Sequence, residues 1–154
     1  MPANIPLTIE DAIAITQLLS FRYLWADRYC IDLKNEEEKL EQFAKMDVIC
    51  SGSEFAIIAA AGQDPSFGIP GVSRSARKFQ QARGKIGKYT LLSTLDYPIP
   101  SIENSVWIRR GWTYQEASLS RRRLVFTENQ LYFECCAMYC LESLKSSSRS
   151  FTHN

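Results

Sequence analysis

Residues 109–126 have the sequence RRGWTYQEASLSRRRLVF, which predicts a helix followed by a strand. Residues 113–120 contain no Gly or Pro and can therefore form the helix. On such a helix Trp112 and Glu116 stand four positions apart, so an indole and a carboxylate share one face. After three arginines comes Leu124–Phe126, a short apolar run of the kind that forms strands.

The composition is typical of one globular domain. The chain has 154 residues, of which 45% are hydrophobic and 23% are charged. The net charge of +1 is unevenly spread, because residues 1–60 carry ten acids and five bases while the remainder carries seven acids and thirteen bases. A basic half can indicate an anionic ligand, but a solvated face is the commoner cause of such an imbalance.

Several classes of function are not expected from this sequence. The N-terminus lacks a basic segment with an apolar core, and no apolar run approaches the ~20 residues that span a bilayer, so we expect a cytoplasmic protein without membrane contact. The five cysteines are irregularly spaced and the single histidine is His153, so neither disulfides nor a metal site is expected. Arg74–Lys88 holds six bases and no acid but only one aromatic residue, Phe79, which favours a solvated basic loop over a nucleic-acid surface.

Residues 23–61 predict a strand, a helix and a second strand. Tyr23–Ile31 is dense in aromatic and aliphatic residues, which is typical of a strand buried on both faces of a parallel sheet. Residues 34–51 form an amphipathic pattern with Asn35 as a plausible cap. Phe55–Ala61 is a second buried strand, and the three segments together predict a βαβ unit with a parallel strand pair.

The flanking segments complete an α/β pattern. Residues 8–20 predict a helix in which Thr8 and Asp11 fit a capping box. Trp25 and Trp107 are expected to pack in the core. The other predicted elements are a strand at Tyr89–Leu95, an extended connection at Pro98 and Pro100, a hairpin of residues 123–126 and 131–133 with its turn at Glu128–Asn129, and a disordered polar tail within 141–154.

Three motifs along the chain resemble those of the fungal heterokaryon-incompatibility (HET) domain. The first is Leu24-Trp25-x-Asp27-x-x-Cys30-Ile31, and the second is Gly68-Ile69-Pro70-Gly71-Val72 with Arg74 beyond it. The third lies in the segment quoted first and comprises Arg110, Trp112, Gln115, Glu116, Leu119, Ser120 and Arg122 or Arg123. Because the motifs occur in the family's order and cover most of the chain, the protein is identified as a member of that family.

The resemblance implies a fold similar to TIR domains, which are flavodoxin-like. Over residues 1–140 we expect a mostly parallel sheet with flanking helices and a C-terminal hairpin. The chain departs from the family at Asp32-Leu33, where HET domains usually have Asn-Gln. It also has no counterpart of the family's first strand, which ends in Trp-Gly. The expected sheet is therefore incomplete at its N-terminal side, with an exposed edge.

The resemblance also implies two functions of different classes. HET domains take part in fungal non-self recognition and programmed cell death, which implies a signalling module that needs no cofactor and acts through other incompatibility proteins or self-association. The TIR likeness implies instead an NAD glycohydrolase, with NAD as substrate, Glu116 as catalytic carboxylate, and Asp27, Trp112 and Arg110 shaping the site. Such a carboxylate would stabilise the cation-like ribose that develops as nicotinamide leaves. An inactive degenerate copy is a third alternative.

The site residues have structural interpretations as well. Thr113 and Glu116 fit a capping box, in which the carboxylate accepts from the backbone of Thr113. Asp27 can accept a hydrogen bond from a helix N-terminus, or pair with Arg28 or Arg110. Convergence of Glu116 and Asp27 in one cleft would favour an enzyme, whereas a Glu116 folded onto its own backbone, with no pocket, would favour a signalling module.

Overall fold

The structure is a computed structural model that describes residues 4–32, 34–72, 74–77, 80–111 and 113–144. Its helices are α1 (Leu7–Leu18), α2 (Asp27–Cys30), α3 (Glu36–Ala44), α4 (Met46–Gly52), α5 (Pro98–Glu103) and α6 (Thr113–Leu119), with a 3₁₀ turn at Trp107–Arg109. Its strands are β1 (Ala56–Ala59), β2 (Arg83–Ile86), β3 (Tyr89–Leu92), β4 (Arg122–Phe126), β5 (Leu131–Cys135) and β6 (Tyr139–Leu141). Most of the predicted disordered tail, residues 145–154, lies outside the described residues.

The main sheet has the strand order β1-β4-β5-β6. β1 runs parallel to β4, with Ile58 opposite Val125, whereas the β4–β5 and β5–β6 pairs are antiparallel. The predicted α/β fold and C-terminal hairpin are therefore confirmed, but a mostly parallel sheet is wrong for the described strands. The reason is connection length, because residues 127–130 alone join β4 to β5 and are too few for a parallel crossover.

The predicted strand Tyr23–Ile31 is wrong. Its second half forms the short helix α2, and Tyr23 in its first half is 82% exposed. Asp27 accounts for the difference, because its Oδ1 accepts a hydrogen bond from the backbone N–H of Arg28 at 2.7 Å. Such local bonds compete with strand pairing and favour a helical turn. The predicted βαβ unit therefore does not form, and β1 has β4 as its parallel partner instead.

The predicted helix over residues 34–51 is two helices. The cap is confirmed, since the Asn35 side chain accepts from the N–H of Glu38 at 3.2 Å. The helix is interrupted at Lys45, whose φ of −98° and ψ of 4° are not helical. The interruption separates an exposed helix from a packed one, because no residue of α3 is fully buried whereas α4 buries Met46.

Two segments predicted to be irregular contain regular structure. The sequence predicts an extended connection at Pro98 and Pro100, yet Pro98 opens α5. Proline is tolerated in the first helical turn, because the N–H that it lacks would have no intrahelical acceptor there. Within the predicted basic loop Arg74–Lys88, residues 83–86 form β2 and pair with β3 in an exposed hairpin. The predicted strand Tyr89–Leu95 is confirmed as far as Leu92, and β6 was not predicted.

Strand β4 separates two apolar clusters. On one face Val125 packs with Ile58, Trp107 and Tyr132, and on the other Phe126 packs with residues of α1 and the loop after β1. The alternation follows from strand geometry, since successive side chains point to opposite faces. Trp107 is 6% exposed, which confirms its predicted core position.

The loop after β1 is held against α1 by two side chains. Thr8 Oγ1 donates a hydrogen bond to the carbonyl of Pro65 at 2.9 Å, and the fully buried Asp11 accepts from the N–H of Ile69 at 2.7 Å. The predicted Thr8–Asp11 capping box is therefore wrong, since both side chains reach across to the loop. Leaving the buried N–H of Ile69 without an acceptor would cost more than leaving a solvated helix end uncapped.

Replacing Gly68 in this loop by alanine should destabilise the fold. Gly68 has a φ of +78°, and a β-carbon there would collide with the carboxylate of Asp11 and the hydroxyl of Ser75. We expect the free energy of unfolding to fall by about 1–3 kcal/mol, measured by urea denaturation. Gly84→Ala is the matched control, because nothing lies within 4 Å of a β-carbon built there. Equal unfolding midpoints for the two variants would contradict the prediction.

Candidate functional site

Glu116 is anchored to an indole. It lies in the first turn of α6, and its Oε2 accepts a hydrogen bond from Nε1 of Trp107 at 2.6 Å. Because Trp107 belongs to the buried cluster beside β4, the carboxylate is held against the core. Hydrogen bonds to ionised acceptors are short and strong, so this bond restricts the orientation of Glu116.

The start of α6 is fixed to the preceding 3₁₀ turn. The N–H of Thr113 donates to the carbonyl of Arg110 at 3.3 Å, and the Thr113 hydroxyl donates to the carbonyl of Trp107. The capping box predicted for Thr113 and Glu116 is therefore wrong, because that N–H already has a carbonyl acceptor and the carboxylate bonds the indole. Trp112, which was predicted to share a face with Glu116, lies outside the described residues.

The charge of Glu116 also acts on Cys50 of α4. Burial raises the pKa of the Cys50 thiol, and the negative charges of Glu116 and Asp47 raise it further. A thiol kept in its neutral form is a poor nucleophile, because the thiolate is the reactive species. Glu116 therefore accepts a hydrogen bond from an indole and also helps to keep the Cys50 thiol in its neutral form.

Asp27 and Arg110 form a separate pair. Their Oδ2 and Nη2 atoms are 3.5 Å apart, and the two side chains are 41% and 49% exposed. The pair connects α2 to the chain just before α6, but an ion pair with this exposure contributes only about 0–1 kcal/mol. Among the hydrogen bonds and ion pairs of the described residues, none joins Asp27 to Glu116.

A polar cleft of about 260 Å³ opens at the carboxyl ends of β1 and β4. Ligand sites in α/β sheets gather at this end of parallel strands. Within it Asn129 Oδ1 is buried and has no hydrogen-bond partner in the structure. The sequence predicts Glu128–Asn129 only as a turn. It does not predict the cleft, because three segments that are separate in sequence supply the lining. The polar cleft is lined by Ala60, Gly62, Gln63, Ser101, Asn104, Ser105, Glu128 and Asn129.

A larger apolar groove of about 570 Å³ runs along α1. We call it the aromatic groove, and it is lined by Ile5, Ile9, Ile13, Thr16, Gln17, Phe21, Arg22, Tyr23, Leu24, Ala26, Tyr29 and Cys30. Trp25 in the same segment is 37% exposed, so its predicted core position is wrong, because the strand that was to bury it does not form. Glu116, Asp27 and Arg110 line neither cleft.

The candidate side chains are already engaged by other groups of the chain. Glu116 is held by an internal bond, and the Asp27–Arg110 pair faces solvent. Within the described ranges, no group of three or more His, Cys, Asp or Glu side chains is placed to hold a metal ion. No helix in that part of the chain is long and apolar enough to cross a bilayer.

The family model described as heterokaryon incompatibility protein (HET) matches residues 1–116. No curated protein and no solved structure matches the chain at a significant level. The match includes two of the three sequence motifs in full and ends within α6, at Glu116 itself.

The bond between Trp107 and Glu116 should be measurable as a coupling energy. In a double-mutant cycle of Trp107→Phe and Glu116→Gln, we expect about 1–3 kcal/mol of coupling in the free energy of unfolding, because the buried indole N–H loses a charged acceptor. Urea denaturation followed by circular dichroism would measure it. Glu103→Gln on the exposed end of α5 is the matched control and should not couple to Trp107→Phe. Additive effects at Glu116 would mean that its carboxylate is not anchored.

Proposed function

The chain belongs to the heterokaryon-incompatibility family, and from that membership we propose that it acts as a signalling module in non-self recognition leading to programmed cell death. The match to the family model over residues 1–116 carries the proposal, because it covers most of the chain. On this proposal the protein acts in the cytoplasm of a fungal cell, by contact with other incompatibility proteins or with its own copies.

The geometry of Glu116 supports a module that acts by binding. A catalytic carboxylate must reach the reacting atoms of a substrate held in a cleft. Glu116 lines neither the polar cleft nor the aromatic groove, and its Oε2 is engaged by the indole of Trp107. In contrast, the aromatic groove presents exposed apolar and aromatic side chains, which are enriched in the binding surfaces of proteins.

An NAD glycohydrolase similar to TIR domains is the less supported alternative. It would require Glu116 to leave Trp107 and face a bound ribose, where a carboxylate stabilises developing positive charge. Asp27 and Arg110 would then have to converge on the same ligand, although in the structure they pair with each other at the surface. An inactive degenerate copy is the remaining alternative, and the same experiment separates all three.

Induced expression in a filamentous fungal host should cause cell death without NAD cleavage by the protein. Death would be scored by uptake of a vital dye, and nicotinamide release by the purified, folded chain would be measured by chromatography. We expect dye uptake in induced cells, and nicotinamide release no faster than with the Glu116→Gln variant. Glu103→Gln is the matched control for the loss of one carboxylate from a helix.

The outcomes distinguish the three alternatives. Nicotinamide release that is lost in a folded Glu116→Gln variant, but kept in Glu103→Gln, would establish the enzyme and overturn the binding module. Healthy induced cells with full-length protein present would favour the inactive copy.

A further inference from the structure

We propose that the β2–β3 hairpin docks the chain onto a membrane surface that contains anionic phospholipids. The hairpin forms a separate two-stranded sheet, and every residue of its two strands is exposed. The short apolar runs of the sequence predict that the chain does not span a bilayer, but a hairpin that lies at the bilayer surface needs no spanning run. The inference goes beyond the proposed signalling role and does not depend on it.

The hairpin has one apolar face and one basic face. In an antiparallel pair, residues directly opposite each other point to the same face, and successive residues of a strand alternate between the two faces. The register of β2 and β3 therefore sorts their side chains by polarity. The apolar face consists of Gly84, Ile86, Tyr89 and Leu91, and the basic face consists of Arg83, Lys85, Thr90 and Leu92.

The chain itself leaves the apolar face uncovered. Ile86, Tyr89 and Leu91 are 66%, 65% and 53% exposed, respectively. Nothing lies within 4 Å of a β-carbon built on Gly84, which belongs to the same face. A hairpin of two strands alone is marginally stable in water, so a surface that covers the apolar face would also stabilise the hairpin.

The cations of the hairpin are available to anionic groups. Arg83 and Lys85 are exposed, and neither forms an ion pair with any residue that the structure describes. Lys88 in the turn has its Nζ 5.5 Å from the centre of the Tyr89 ring, a contact that leaves its positive charge uncompensated. Anionic lipids in a membrane leaflet attract each lysine or arginine held near the surface.

The two faces match the two layers at a bilayer surface. An amphipathic segment at the interface buries its apolar side about 5–10 Å into the boundary between headgroups and acyl chains. With the apolar face so placed, the basic face lies at the level of the headgroups, where the long side chains of Arg83 and Lys85 reach lipid phosphates. Tyr89 suits this depth, because tyrosine combines an apolar ring with a polar hydroxyl and is enriched at membrane interfaces.

A protein or a nucleic acid suits the hairpin less well. A stable protein interface buries about 800 Å² on each partner and uses roughly 20–30 residues a side, whereas the apolar face has three large side chains. Edge pairing with a second copy would bring like cations together, and basic residues discourage such pairing. A nucleic acid would bind the basic face and leave the apolar face in water. A bilayer covers both faces at once.

The base of the hairpin is tied to the main sheet. Gln81 Nε2 donates hydrogen bonds to the carbonyls of Ser93 and Ser143, both at 2.8 Å. The Ser93 hydroxyl in turn accepts from the N–H of Ala82 at 3.0 Å. Ser143 is buried and follows β6, so these bonds hold the hairpin in place beside the sheet. A preorganised surface of this kind loses little conformational freedom on binding.

Vesicle flotation with the purified chain tests the contact. We expect the wild type to float with vesicles of phosphatidylcholine mixed with phosphatidylserine, but not with vesicles of phosphatidylcholine alone. Ile86→Thr with Tyr89→Thr removes apolar contacts while keeping residues that favour strands. Arg83→Gln with Lys85→Gln removes two charges. Each pair of substitutions should weaken vesicle binding roughly tenfold or more, and added salt should weaken binding of the wild type.

Two matched controls make the same kinds of change elsewhere. Arg28→Gln with Lys34→Gln removes two exposed cations. Leu40→Gln with Val48→Gln removes two apolar side chains that are each 65% exposed. Both controls should float like the wild type. Circular dichroism and urea denaturation would establish that every variant compared is folded.

The depth of the hairpin gives a second measurement that does not depend on affinity. In Tyr89→Trp, we expect lipids brominated in their acyl chains to quench the fluorescence of the added indole. Tyr114→Trp is the matched control, because Tyr114 is 80% exposed but lies in α6. The indole added there should not be quenched.

Other results would overturn the inference. A folded wild type that stays off the anionic vesicles, or that floats equally with neutral ones, would exclude an anionic membrane as the partner. Folded hairpin variants that float like the wild type, or an unquenched indole at position 89, would exclude the hairpin as the contact. Without vesicle binding, self-association lost in the Ile86→Thr, Tyr89→Thr variant would identify a second copy as the partner, and DNA binding lost in the Arg83→Gln, Lys85→Gln variant would identify a nucleic acid.

Failure of the proposed function is separable from failure of this inference. Vesicle binding by a chain that kills no cells would keep the membrane contact and remove the signalling role. Cell death caused by a chain that binds no vesicles would keep the signalling role and remove the membrane contact.

Discussion

The parallel pairing of β1 with β4 is the constraint on which the rest of the structure depends. Parallel neighbours need a long connection that brings the chain back to the start of the second strand. Here residues 60–121 make that connection, and they include the β2–β3 hairpin, α5 and α6. The polar cleft lies where the two strands end. Glu116 lies in α6, just before β4, and its carboxylate accepts a hydrogen bond from the buried indole of Trp107.

The elements that followed from the sequence are those set by local signals. Helix α6 lacks Gly and Pro, and the β4–β5 hairpin consists of two apolar runs around a short polar turn. The strand predicted for Tyr23–Ile31 is wrong because a high density of aromatic residues indicates apolar surface, but it does not indicate whether the chain itself buries that surface. In the structure Tyr23 is 82% exposed. Asp27 favours a helical turn because its carboxylate accepts a hydrogen bond from the backbone N–H of Arg28.

The candidate site shows a second limit of sequence patterns. Helical spacing associated Glu116 with Trp112, but the indole that binds its carboxylate belongs to Trp107, nine residues earlier and in a different element. A 3₁₀ turn and a change of direction bring these residues together, and neither has a periodic signature. The polar cleft was missed for the same reason, because three segments that are distant in sequence supply its lining.

The position of β1 has a consequence for where the domain can be cut. The family match ends at Glu116, whereas β4, the strand that pairs with β1 in the described sheet, begins at Arg122. A fragment trimmed to the matched segment would keep β1 and lose every strand that covers Ile58. The segment that matches the family model and the segment that contains the whole sheet therefore have different boundaries in this chain. The matched segment alone is not expected to be an autonomous domain.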